Sequence, residues 1–83
     1  MEREIEEQIN DELEVVMFKF GQKLQRLEEK RFTALEESET ISKSLGITLN
    51  VCFEIKKVMN ETIVQIKSIQ EKYKDHLKDE SNE

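Results

Sequence analysis

Eighty-three residues with 36% hydrophobic and 39% charged side chains, two glycines, no proline and no tryptophan describe long solvated helices and give no support to a globular enzyme. A chain this short buries too little of its own surface to be comfortably stable alone, and its single cysteine, Cys52, excludes an intrachain disulfide, so self-association or a partner is expected. The net charge of −6 sits wholly in residues 1–14, where seven acids stand against Arg3, while the other 69 residues carry twelve acids and twelve bases. Acids in the first turns of a helix meet the positive end of its dipole. The same segment also suits an acidic arm that docks on a basic surface.

The first periodic stretch starts with Ile5, Ile9 and Leu13, spaced by four. From Leu13 the steps alternate between four and three: Met17, Phe20, Leu24, Leu27, Arg31, Ala34, Ser38, Ile41 and Leu45. This is a heptad seam with polar interruptions at Arg31 and Ser38. It predicts a helix over about residues 2–45, with fraying in its first turns.

Between Thr40 and Val51 the good helix formers give way to β-branched residues, serines, an asparagine and a glycine. Gly46 followed by Ile47, with Lys43 one turn earlier, matches a helix stop in which glycine takes the left-handed position. The expected turn is therefore at residues 46–48, with Thr48 or Asn50 capping the next helix. In that register facing residue numbers total about 94, which sets Met17 against Leu77, Phe20 against Tyr73, Leu24 against Ile69, Leu27 against Ile66, Leu35 against Met59 and Ile41 against Cys52 or Ile55. The charges agree, with Lys23 near Glu71 and Arg31 near Glu61. The alternative is one continuous coiled-coil helix, because the phase set by Leu13 runs on through Thr48, Cys52, Ile55, Met59, Thr62, Ile66, Ile69 and Tyr73, and a lone glycine costs a helix only about 1 kcal/mol.

The second periodic stretch runs Cys52, Ile55, Met59, Ile63, Ile66, Ile69, Tyr73 and Leu77, predicting a helix over about residues 49–78 and a disordered polar tail at 79–83. Leu49, Val51, Val58, Ile63 and Leu77 flank the strict heptad seam of Thr48, Cys52, Ile55, Met59, Thr62, Ile66, Ile69 and Tyr73 where a two-stranded coil carries charges, so more than two helices are expected to meet around this half.

Catalytic chemistry has little to stand on. Cys52 and His76 are 24 residues apart on one helix and cannot act as nucleophile and base within a chain. The glutamates at 28, 29, 36, 37 and 39 lack the histidines of a helical di-metal site and read as a solvated face. Gly21 and Gly46 are too far apart for a phosphate loop. The Lys19–Arg31 stretch is basic with phenylalanines interleaved, but Glu28 and Glu29 interrupt it and the acidic chain repels phosphate. The longest wholly apolar run, Val15–Phe18, has four residues, far short of the roughly 20 of a membrane helix.

The informative excess is apolar. Phe18, Phe32, Phe53 and Val64 fall off the seam in either architecture, and Ile5 and Ile9 extend beyond the hairpin overlap. These six are the candidate partner-binding residues, since each exposed phenylalanine forgoes roughly 1.5–3 kcal/mol of burial. The sequence thus predicts an all-α protein of one unit: a long antiparallel helical hairpin that assembles into a helical bundle, with Met17, Phe20, Leu24, Leu27, Ile55, Ile66, Ile69 and Tyr73 in its seam. Expected partners are proteins, as homo-oligomer or hetero-complex, with no cofactor, metal, nucleic acid, membrane insertion or small-molecule substrate. The expected role is non-enzymatic, a coiled-coil subunit in an intracellular assembly, cytoplasmic or nuclear. The alternative is a small acidic regulatory binder whose amino-terminal arm blocks a basic site.

Overall fold

The computed structural model describes the backbone of residues 3–81 and the side chains of residues 3–77. Helix α1 spans Arg3–Glu37, α2 spans Ile41–Lys72 and α3 spans Lys74–Ser81. α1 and α2 pack against each other as an antiparallel hairpin, and the whole measures 57 × 19 × 17 Å.

The chain turns at Ser38–Thr40, eight residues before the expected 46–48. α1 has acids in its first turn and no base in its last, so Glu36 and Glu37 meet the negative end of the helix dipole and weaken it there. The Ser38 hydroxyl donates to the Leu35 carbonyl at 3.0 Å and lies 2.7 Å from the Ser44 hydroxyl, closing the exit of α1 onto the entrance of α2. Thr40 is the N-cap of α2: its backbone is extended (φ −134°, ψ 153°) and its hydroxyl accepts the Lys43 N–H at 3.1 Å. Gly46 lies inside α2 with no positive φ, so its hydrogen bonding is helical and the glycine stop is not used.

Three interhelix ion pairs define the register. They are Lys72–Glu12 at 2.9 Å, Lys30–Glu54 at 3.6 Å and Lys23–Glu61 at 3.8 Å, and in each the residue numbers total 84. Moving the turn forward replaces the expected total of 94. Lys23 therefore reaches Glu61 and not Glu71, while Arg31 pairs with Glu28 on its own helix. Such exposed pairs are individually weak, but three in one register disfavour its shifted alternatives.

The seam of α1 is formed by half-buried Leu13, Val16, Phe20, Leu24, Leu27, Arg31, Ala34 and Ser38. Val16 stands where Met17 was expected, and Met17 is half exposed. On α2 the facing residues are Val51, Ile55, Val58, Thr62, Ile66, Ile69 and Tyr73. Val51 and Tyr73, exposed by 6% and 7%, are the only buried hydrophobic residues among those described, with Thr62 at 9% between them. Cys52, Met59 and Ile63 turn away from α1. α2 carries two adjacent apolar stripes that share Ile55, Ile66, Ile69 and Tyr73, and a single antiparallel neighbour covers only one of them.

Tyr73 interrupts the second arm. Its N–H still bonds the Ile69 carbonyl at 3.1 Å, while its own carbonyl accepts His76 and Leu77 N–H at 3.0 and 3.1 Å, so α3 restarts at once. Residues 79–81 are helical in α3, correcting the expectation of a disordered tail there; residues 82 and 83, and the expected helical residue 2, lie outside the described residues.

Candidate interaction surfaces

The six residues expected to bind partners occupy two kinds of position. Phe18, Phe32, Phe53 and Val64 are exposed, Phe18 and Phe53 by 67% each. Phe18 and Phe32 are fourteen residues apart, which is two heptads, so they share one stripe on the back of α1; Phe53 and Val64 lie on the back of α2. Ile5 and Ile9 are half-buried. The expectation that they project beyond the overlap is corrected, because the earlier turn makes the second arm, α2 with α3, long enough to run alongside the whole of α1.

A further apolar surface was hidden by the misplaced turn. Ile41, exposed by 80%, continues through exposed Leu45, Leu49, Cys52, Lys56, Met59 and Ile63 at steps of four and three, apolar but for Lys56. α1 answers with Met17, Gly21, Leu24, Glu28, Arg31, Leu35 and Ser38, again at steps of four and three. Most of these residues directly follow a seam residue, as Met17 follows Val16 and Cys52 follows Val51. In an antiparallel pair, positions that follow the seam on both helices lean to the same side of the hairpin. Both stripes therefore form one face.

A polar cluster sits in the middle of that face. The Arg31 Nε donates to both Glu28 carboxylate oxygens at 3.1 and 3.2 Å, and its guanidinium lies 5.0 Å from the centre of the Phe32 ring. The hydrogen bond from Arg31 holds the Glu28 carboxyl below its ordinary range. Reciprocally, Glu28 raises Arg31, with a small contribution from Cys52 across the hairpin.

A second polar cluster clasps the open end. Glu12 accepts the Tyr73 hydroxyl and the Lys72 ammonium, the latter at 2.9 Å, and the Lys72 nitrogen stands 5.2 Å from the Tyr73 ring centre. The Tyr73 hydrogen bond first, and Lys72 second, lower the Glu12 carboxyl; the bonds to Glu12 raise both Tyr73 and Lys72. Each shift moves its group away from neutral pH. Such a cluster holds two helices together and supplies no acid or base poised for proton transfer. Beside it a shallow open groove is lined by Val15, Val16, Gln65, Ser68 and Ile69, with Asp11 and Glu12 at the rim.

Among the described residues no group of three histidine, cysteine or acidic side chains is placed to hold a metal ion, and no helix is long and apolar enough to cross a membrane. No protein-family model matches this chain. Searches of curated proteins and of solved structures likewise give no match.

Proposed function

We propose that this chain is a non-enzymatic structural and interaction protein, a small coiled-coil subunit that supplies a helical interface in a larger intracellular assembly. One observation carries the reading: eleven large apolar side chains are exposed among the described residues, against two that are buried. A folded monomer of this mass exposes about 5,200 Å² by size scaling, whereas this hairpin exposes 6939 Å². That extra surface is rich in Phe, Leu, Ile and Met, the residue types that other proteins cover.

The outward phenylalanines are the contacts to larger partners. Phe32→Glu combined with Phe53→Glu is expected to remove assemblies larger than a dimer, read by light scattering after gel filtration at high chain concentration, while far-UV ellipticity keeps its helical value. An unchanged mass refutes the assignment of those faces. A folded monomer at every concentration, with and without the substitutions, overturns the reading as a whole.

A second reading rests on the exposed carboxylates of Glu4, Glu6, Glu7, Asp11 and Glu14 along the first four turns of α1. They suit an acidic regulatory binder that blocks a basic site. Removing residues 1–12 separates the two readings, since a bundle subunit keeps its core association and an arm-based inhibitor loses its target.

A further inference from the structure

We propose that a second copy of this chain covers the face formed by Leu45, Leu49, Met59 and Ile63 with Leu24 and Leu35, the two hairpins packing face to face with their turns at opposite ends. The proposal rests on the interaction reading above and names the partner for one face.

The pattern on that face is self-complementary. On α2, Leu45 and Ile63, Leu49 and Met59, and Cys52 and Lys56 stand symmetrically about position 54. On α1, Gly21 and Ser38, Leu24 and Leu35, and Glu28 and Arg31 stand symmetrically between positions 29 and 30. These two centres were set by different helices, yet the Lys30–Glu54 ion pair places them at the same height along the hairpin. A twofold axis through that height, at right angles to the helices, sets α1 against α1 and α2 against α2, both antiparallel. Leu45 of one copy then meets Ile63 of the other, Leu49 meets Met59, and Leu24 meets Leu35. Glu28 meets Arg31 in both directions, so the two intrachain pairs become one four-membered charge network around the axis. Gly21 meets Ser38, two small residues that let the backbones approach; an added Cβ at Gly21 finds nothing within 4 Å in the single hairpin.

Two observations select this orientation over the one with both turns at the same end. In the register of the ion pairs, Ile41 and Leu45 lie beyond Glu37, the last residue of α1. With turns together α1 of the second copy stops short of them as well, and the most exposed isoleucine stays uncovered. With turns opposed they reach α2 of the second copy. The charge agrees, because turns placed together also set the two acidic amino ends, −6 each, side by side, whereas opposed turns hold them at far ends. Two hairpins 57 Å long and 19 Å wide in a particle of about 80 Å overlap by about 34 Å, or about 650 Å² per chain, toward the lower end of a standard specific interface.

Sedimentation equilibrium and small-angle scattering on the wild-type chain come first. The expected particle has twice the 9.9 kDa chain mass and a maximum dimension of about 80 Å, against about 60 Å for turns together. The decisive step mixes two charge variants. Glu28→Arg puts two bases on the face and Arg31→Glu puts two acids there, so each alone is expected to self-associate at least about tenfold more weakly. An equimolar mixture is expected to form a one-to-one dimer of about 80 Å, because the broken pairs are restored only between chains.

A 60 Å dimer, or a mixture with no preference for the mixed pair, overturns the proposal. An assembly that loses mass in the Phe32→Glu, Phe53→Glu variant and keeps it in Leu49→Glu overturns this face while leaving the interaction reading in place. A chain monomeric in every form overturns both.

Discussion

Replacing Gly46 with alanine discriminates sharply between two positions of the turn. In the structure Gly46 is an exposed interior residue of α2 without positive φ, and a Cβ built there touches nothing within 4 Å. Alanine then adds no strain, improves helix propensity and restricts the unfolded chain, for a gain of about 1 kcal/mol. For a domain of this size that raises Tm by about 4–8 °C. Had the chain turned at Gly46 with the glycine in the left-handed region, alanine would instead cost about 1–2 kcal/mol. The two geometries thus differ in sign and by about 2–3 kcal/mol in total. Urea unfolding followed by ellipticity at 222 nm, at one fixed chain concentration, reads this directly. A midpoint that falls in Gly46→Ala refutes the continuous helix through that position.

The complementary change, Thr40→Ala, removes the hydroxyl that caps α2 and is expected to cost about 1 kcal/mol in the same unfolding assay; no loss of stability would mean the cap is not used. Thr62→Val keeps the side-chain shape in the seam while deleting a hydroxyl that only bonds back to the Val58 carbonyl at 2.9 Å. It is expected to raise stability by about 0.5–1 kcal/mol, and a lower urea midpoint would contradict that. Glu12 titrates below its ordinary 4.5 because Tyr73 and Lys72 bond the carboxylate. A folded-state pKa below the unfolded one gives stability that is complete above about pH 4.5 and is lost as pH falls through the lowered value. Glu12→Gln should flatten that acid-side slope, and an unchanged slope would show that other carboxylates set it.

The hairpin and most of its seam were legible because apolar residues at steps of three and four are a direct consequence of 3.6 residues per turn. Phe20, Leu24, Leu27, Ile55, Ile66, Ile69 and Tyr73 all line the interface as that spacing requires. The turn was misplaced because Gly46-Ile47 carries a strong local stop signal, while Thr40 is one of many residues able to cap a helix. Its cap lacks the glutamate three positions on that would have marked it, since Lys43 stands there. The clearer sign was negative: of the three acids among residues 36–39, Glu36 and Glu37 sit at a helix end that repels them. Moving the turn shifts the register by ten in the residue total, which exchanges Met17 for Val16 and brings Ile5 and Ile9 under cover. Of the face of Leu45, Leu49, Met59 and Ile63, Leu49 and Ile63 were expected as apolar flanks but Leu45 and Met59 as seam residues, because which of two adjacent stripes faces inward depends on the register.

Tyr73 is the only tyrosine in a chain without tryptophan. Its ring is buried about two turns short of the open end of the hairpin, with its hydroxyl on a carboxylate. A carboxylate that accepts a phenol's hydrogen bond quenches its emission, so ultraviolet fluorescence should brighten when the open end of the hairpin separates. Ellipticity counts helical residues everywhere along the chain, but this light comes from one place. The unmodified protein therefore contains its own optical gauge of where unzipping begins.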